Sequence, residues 1–174
     1  MRIFLTGFMG SGKTHVGRRL AARLGLPFID LDAAVEQRAG RSVREIFAQS
    51  GEPEFRQLES QLLREVALLP MFVLATGGGT PCHDDNMRWM SSRGITVFLD
   101  VDVSILARRL ANERVQRPLL HGGEDLAALI TAKLDERRNC YETALIRVRQ
   151  THPNQDMVRL IADRLPAEDL SLTK

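Results

Sequence analysis

The amino-acid sequence predicts an α/β fold in which a parallel sheet carries helices on both faces. Three observations predict it. Short apolar runs alternate with segments of helical period along the whole chain. Phe72-Val73-Leu74-Ala75 is apolar without interruption, the pattern of a strand covered on both sides. The apolar run Ile3-Phe4-Leu5 leads straight into glycines and then into a helical segment. Such sheets gather their ligand sites beyond the carboxyl ends of the strands.

The elements follow in order. After the strand at 3–5, residues 13–24 read as a helix, with Val16, Leu20 and Leu24 on one face and Arg18, Arg19 and Arg23 on the other. Phe28 to Asp32 reads as a second strand ending in two acids. On such a strand residues i and i+2 share a face, so Asp30 and Asp32 would point the same way. Asp32 also suits the cap of the helix that follows. Ser42-Val43-Arg44-Glu45 is a capping box opening a helix to about Gln49. A further helix starts at Gly51-Glu52-Pro53, with Phe55, Leu58, Leu62 and Val66 at helical spacing. The strand at 72–75 ends in Gly77-Gly78-Gly79. A helix at 84–92, a strand at 96–99 and a helix at 103–112 come next. Residues 113–124 are polar with one Pro and two Gly, and read as a mobile loop. A long helix from about Leu126 to Ala144, an edge strand at 147–149 and a last helix at 154–164 complete the domain; 166–174 is a tail.

Composition narrows the function. With 174 residues, 44% hydrophobic and 26% charged, the chain is one ordinary globular domain. A net charge of +2 argues against a dedicated nucleic-acid surface, and no apolar run approaches a membrane span. The cations comprise 21 Arg and 3 Lys, which reflects either genome composition or a need for planar grips on phosphate and carboxylate. Cys82 and Cys140, the only cysteines, form no CxxC and read as reduced thiols, Cys82 close to the triple glycine. The four His show no metal-ligand spacing.

Gly7-Phe8-Met9-Gly10-Ser11-Gly12-Lys13-Thr14 matches GxxxxGK[ST], the P-loop, in every fixed position. Glycines such as Gly10 and Gly12 let backbone N–H groups turn inward around phosphate oxygens, with Ser11 between them. The helix that follows aims its positive end at the same place, and His15 lends a backbone N–H with its ring outward. Lys13 supplies charge to the phosphates, and the Thr14 hydroxyl is a Mg²⁺ ligand. NKxD and DxxG are absent, which excludes a GTPase switch. Asp100, at the end of Val97-Phe98-Leu99, suits either the acid of a larger ATPase or a cap for the next helix. A small-molecule kinase fits better. It needs acids near the metal, an acceptor pocket and a basic lid, here residues 113–124.

The chain resembles the shikimate kinases. The resemblance runs from the first strand to the final helix and is carried by GFMGSGKTHVGRRLA, FIDLDAAVEQRAGRSVREIFAQSGEPEFRQLE, ATGGG, RPLL and ERRNCY. It implies a three-layer P-loop NTPase fold with five strands in the order 2-3-1-4-5. It implies ATP and Mg²⁺ as cofactors and transfer of the γ-phosphoryl group to the 3-hydroxyl of shikimate. By the same resemblance Lys13 binds phosphate, Thr14 binds Mg²⁺ and Asp30 supports it through water. Asp32 contacts the acceptor hydroxyl, Arg56 and Arg137 hold the acceptor carboxylate, and Gly78 and Gly79 meet its hydroxyls. Arg117 is the lid arginine, and Arg109 and Pro153 flank adenine. Arg137, four residues before Tyr141, is matched in preference to Arg138. The expected organisation is one kinase domain over 1–165, with a substrate region at about 32–60, a lid at about 113–124 and a tail at 166–174. A cytoplasmic monomer is expected, with a small-molecule partner and neither nucleic acid nor membrane. A gluconate-type kinase and a non-catalytic nucleotide-binding module are the alternatives.

Overall fold

The computed structural model describes residues 1–111 and 125–166. The expected lid with Arg117, and all of the expected tail but its first residue, lie outside the described residues. The chain runs β1 (Arg2–Thr6), α1 (Lys13–Leu24), β2 (Phe28–Asp30), α2 (Leu31–Ala39), α3 (Val43–Val66) and β3 (Phe72–Ala75). A 3₁₀ turn (Thr80–Cys82) follows, then α4 (Asn86–Ser91), β4 (Ile95–Val101) and α5 (Val103–Leu110). The described chain ends with α6 (Leu126–Tyr141), β5 (Ile146–Gln150) and α7 (Met157–Ala162).

All strand pairs are parallel and the order is β2-β3-β1-β4-β5. Alternation along β1 splits the core. Ile3 and Leu5 join a cluster with Leu20, Val97, Leu106 and Ile161, while Phe4 joins Val35, Ile46, Leu63, Phe72 and Met90. Helices therefore cover both faces, as a buried parallel sheet requires. Among the described residues, no helix is long and apolar enough to cross a membrane.

Local signals set several boundaries. Ser42 and Glu45 form the reciprocal capping box at the start of α3, with the Ser42 N–H donating to Glu45 Oε2 at 2.7 Å. The two helices expected on either side of residue 50 are continuous except at Gly51, whose φ of 80° and ψ of 176° only glycine adopts readily. Trp89, expected in the core, is half-buried and lies under the Arg64 guanidinium, 4.1 Å from its ring centroid.

Two expectations are corrected. β2 stops at Asp30, which caps α2 by accepting from the Ala33 N–H at 3.3 Å. Asp32 is therefore neither on the strand nor the cap; it sits in the first helical turn. Asp is a favoured cap, and the earlier of the two acids takes the position as soon as the chain leaves the sheet. Asp100 neither caps a helix nor stands as a free strand-end acid. It accepts from Arg147 Nη2 at 2.7 Å and Nε at 3.0 Å, while Asp102 caps α5 by accepting from the Ser104 N–H.

Candidate active site

The glycine loop, the Asp30 and Asp32 pair and the triple glycine gather at the carboxyl ends of β1, β2 and β3. The loop from Gly7 to Thr14 joins β1 to α1. Gly10 and Gly12 have φ of 78° and 88°, the left-handed region where a side chain is strained. Gly12 caps α1 without any side-chain bond, so the first-turn N–H groups remain available to an anion. Lys13 Nζ donates to the Gly7 carbonyl at 2.8 Å and the Phe8 carbonyl at 3.1 Å, which holds the ammonium against the loop. Ser11 Oγ is buried and has no partner among the described residues. His15 is exposed on the first turn.

Thr14 Oγ1 donates to Asp30 Oδ2 at 2.7 Å. A hydroxyl and a carboxylate side by side at the mouth of the loop are hard oxygen donors of the kind Mg²⁺ takes, with phosphate and water completing the shell. The residues present fit that cation.

A cleft of about 840 Å³ extends from this loop, bordered also by Asp32, Gly78, Arg109 and Pro153. Arg109 Nη1 donates to the Gly10 carbonyl at 3.0 Å and Nη2 to Gln150 Oε1 at 3.1 Å. Gln150 Nε2 donates in turn to the carbonyls of His152 and Pro153. One buried amide at the end of β5 thus ties the arginine and the proline to the same wall. Burial and the neighbouring Arg108 lower the Arg109 pKa.

The other half of the site is built on the triple glycine after β3. A Cβ on Gly79 would lie 2.8 Å from Arg56 Nη1, and one on Gly77 would lie 3.0 Å from Asp32 Oδ1 and 2.7 Å from Thr80 Oγ1. Only a chain without side chains passes between these groups. Tyr141, fully buried, donates its hydroxyl to the Gly78 carbonyl at 2.5 Å. Burial raises the Tyr141 pKa, so the phenol keeps the proton it donates.

Arg56 is 6% exposed. Its Nε and Nη2 donate to Glu52 Oε1 at 3.0 and 2.9 Å, and its Nη1 donates to Glu59 Oε2. Glu59 is fully buried and also accepts from the Thr80 hydroxyl. Burial pushes the Glu59 carboxyl up to about 7, with the charge of Asp32 adding to the rise and Arg56 and Thr80 opposing it. Burial would lower the Arg56 pKa, but Glu59 and Glu52 more than offset it and the guanidinium stays charged.

Arg137 and Arg138 part company. Arg138 pairs with Asp135 at 3.3 Å and Glu142 at 3.8 Å on the outer side of α6. Arg137 lies with its Cζ 5.9 Å from the Phe8 ring centroid, and its Nη1 would be 3.8 Å from a Cβ on Gly78. That Nη1 is buried and has no hydrogen-bond partner among the described residues.

The structure thus brings Lys13, Thr14, Asp30 and Arg109 to one end, and Asp32, Arg56, Gly78, Gly79 and Arg137 to the other. Sequence reasoning missed Glu59, Thr80, Gln150 and the Tyr141 hydroxyl. For Glu59 a signal existed. It stands four residues after Phe55 and three before Leu62, so an acid occupies the apolar stripe of the helix. The arrangement offers a phosphate cradle facing a small pocket with two guanidinium groups and bare backbone, and a carboxylate at the border.

Comparison with known proteins agrees with that chemistry. A family model described as shikimate kinase matches residues 9–166. A shikimate kinase from Bacteroides fragilis is 47% identical over 146 residues, 83% of this chain and 82% of that protein. The crystal structure of a shikimate kinase from Bacteroides thetaiotaomicron superposes with a TM-score of 0.86 at 40% identity, covering 94% of this chain and 97% of the other. A shikimate kinase from Acinetobacter baumannii in complex with shikimate gives 0.84 at 35% identity, covering 98% and 93%.

Proposed function

The chain belongs to the shikimate kinase family, and from that premise we propose how its residues divide the reaction. The reaction is transfer of the γ-phosphoryl group of ATP to the 3-hydroxyl of shikimate, giving shikimate 3-phosphate and ADP on the route to chorismate and the aromatic amino acids. Mg²⁺, when bound, neutralises phosphate oxygens as charge develops on them.

Residues 10–15 wrap the phosphates. Lys13 exchanges its two loop carbonyls for phosphate oxygens, a stronger acceptor for an ammonium. Thr14 and Asp30 hold the cation, Asp30 through water. Arg109 and Pro153 border the base. Arg56 and Arg137 hold the shikimate carboxylate from two different helices, which sets orientation as well as affinity. Gly78 and Gly79 meet the ring hydroxyls with backbone groups. Asp32 orients the 3-hydroxyl and accepts its proton late in the transfer. A loose transition state demands little nucleophilicity from the acceptor, so positioning carries most of the rate.

The observation that carries this assignment is the buried Arg137 Nη1, a charged donor with no partner among the described residues, beside the Gly78 backbone. A buried cationic donor is costly to leave unmatched, and an acceptor carboxylate supplies the match. We further assign residues 1–165 to one kinase domain with its acceptor region at about 32–60, and 166–174 to a tail. Residues 113–124 serve as the lid, with Arg117 reaching the transferred group. The enzyme works as a cytoplasmic monomer.

The test is ADP release from Mg-ATP with shikimate, gluconate or nucleoside monophosphates as acceptor, with ³¹P NMR to locate the new ester. Release with shikimate alone, and phosphate on the 3-oxygen, supports the assignment. Release with gluconate, or shikimate turnover unaffected by Arg137→Ala, refutes it.

A further inference from the structure

The loop between β5 and α7 is tied to the phosphate loop through the side chain of Gln150. This residue ends β5, beside Val101 of β4, and is 3% exposed. Its Oε1 accepts from Arg109 Nη2 at 3.1 Å. Its Nε2 donates to the His152 carbonyl at 3.1 Å and to the Pro153 carbonyl at 3.2 Å. Arg109 Nη1 reaches the other way, to the Gly10 carbonyl at 3.0 Å. A chain of bonds therefore runs from Gly10 through Arg109 and Gln150 to Pro153, and all four residues line the cleft. Gln150 has no part in the reaction as assigned above.

The position calls for an amide. A guanidinium donates and never accepts; a carbonyl accepts and never donates. The group between them must accept on one side and donate two hydrogens on the other, and among side chains only Asn and Gln carry such an end. A carboxylate would hold Arg109 but turn lone pairs towards two carbonyls. It would also add negative charge to a cleft that takes a triphosphate. The neutral amide restrains the cation and leaves its charge in place.

We propose that Gln150 is a positioning residue for the nucleotide: by fastening Arg109 on one side and Pro153 on the other, it fixes the slot between them that receives the base of ATP. The proposal rests on the base site assigned above to Arg109 and Pro153, and adds the group that sets their separation. Bonds at both Nη atoms fix the plane of the Arg109 guanidinium, and it is this plane that stacks on the face of a base. An arginine held only at Gly10 would keep more rotamer freedom, and ordering it would fall to the nucleotide. On the opposite side the two carbonyl bonds hold the turn that carries the Pro153 ring. The phosphates are met by residues 10–15, which lie beyond Arg109 in this chain of bonds, so Gln150 serves the base and not the phosphates.

The test measures the affinity of the full-length protein for Mg-ATP and for Mg-tripolyphosphate, which offers phosphates without a base, together with Tm and KM for shikimate at saturating ATP. Gln150→Met keeps much of the volume and loses all three bonds. Gln150→Glu keeps the bond to Arg109 and loses those to the carbonyls. Expected is ATP binding weakened about tenfold in Gln150→Met and at least as much in Gln150→Glu, with tripolyphosphate affinity and KM for shikimate unchanged. A residue that served only the fold would lower Tm and weaken all three ligands together, and that result overturns the proposal. Gln150→Glu binding ATP like the wild type overturns it too, since the bonds to the turn would then carry nothing. If both variants bind ATP normally the proposal fails, and Arg109→Ala shows what falls with it. ATP weakened and tripolyphosphate spared in Arg109→Ala leaves the base assignment standing; ATP unaffected removes it.

Discussion

Replacing Arg56 by Ala separates what the arginine does for the fold from what it does for the acceptor. The variant strands Glu59, which is fully buried and keeps only the Thr80 hydroxyl as a hydrogen-bond partner among the described residues. The consequence depends on pH, and the sign is determined by the raised carboxyl. Burial holds the Glu59 carboxyl at about 7 in the folded protein, against an ordinary 4.5. Its contribution to stability is therefore complete below about pH 4.5 and lost as pH rises through 7, because the folded state binds more protons than the unfolded chain in that interval. In the wild type the loss levels off above 7, where Arg56 balances the carboxylate. Without Arg56 the carboxyl titrates higher still, and the loss continues. The stability gap between wild type and Arg56→Ala should be small at pH 6 and widen by up to about 1.4 kcal/mol per pH unit above 7. By pH 9 it should approach the roughly 3–5 kcal/mol typical of a broken buried pair. Urea unfolding, followed by the fluorescence of the single Trp at position 89, reads the gap at each pH. Adding Glu59→Gln to the variant should flatten the pH dependence and recover most of the stability. It should not recover acceptor binding: KM for shikimate stays raised about tenfold to a hundredfold, the worth of a lost charge-assisted bond. Parallel stability curves for wild type and Arg56→Ala above pH 7 would falsify the ion-pair account, and a double variant with normal KM would remove Arg56 from the pocket.

Asp32→Asn should lower kcat sharply while ATP binds as before, measured by steady-state kinetics and nucleotide titration; near-normal turnover would reduce Asp32 to a helix residue. Arg137→Ala should raise KM for shikimate far more than KM for ATP, whereas Arg138→Ala, which among the described residues loses ion pairs with Asp135 and Glu142, should leave both unchanged. Ser42→Ala removes the capping box of α3 and should cost about 1 kcal/mol, a drop of about 2–4 °C in Tm for a chain of this size, with kcat untouched.

Much of this architecture is written locally. The phosphate loop, α1 and the break at Gly51 are legible because each depends on residue types with one strong backbone preference. The uninterrupted apolar run at 72–75 marks an interior strand for the same reason. Where two neighbouring residues can each take one role, local reading falters. Asp30 and Asp32 both suit a strand end and a cap, and only the length of β2, set by its register with Val73 to Ala75, decides between them. Asp100 and Asp102 pose the same problem at the end of β4, and there the decision belongs to Arg147 on the adjacent strand, 47 residues away. Strand order was available only through likeness to a family, since no local signal encodes which strands become neighbours.

The acceptor half illustrates a deeper limit. An acid in the apolar stripe of α3 is a poor choice for stability, since an apolar residue of similar volume would avoid the cost of burying charge. Its presence makes sense only through what it holds. Arg56 projects from one turn of a helix towards a backbone of glycines that offers no side chain to pack against. A long flexible cation in such a place would wander among rotamers, and ordering it would fall to the substrate. Glu52 and Glu59 order it beforehand, and Thr80 orders Glu59 in turn. Arg137 is steadied differently, by the Phe8 ring and by its place one turn before Tyr141, whose hydroxyl holds the very glycine it faces. Two cations prepared by separate networks can meet one planar carboxylate with little left to arrange. On the proposed assignment, in a transfer whose rate rests on position more than on reactivity, that preparation is where the folding energy spent on Glu59 returns as catalysis.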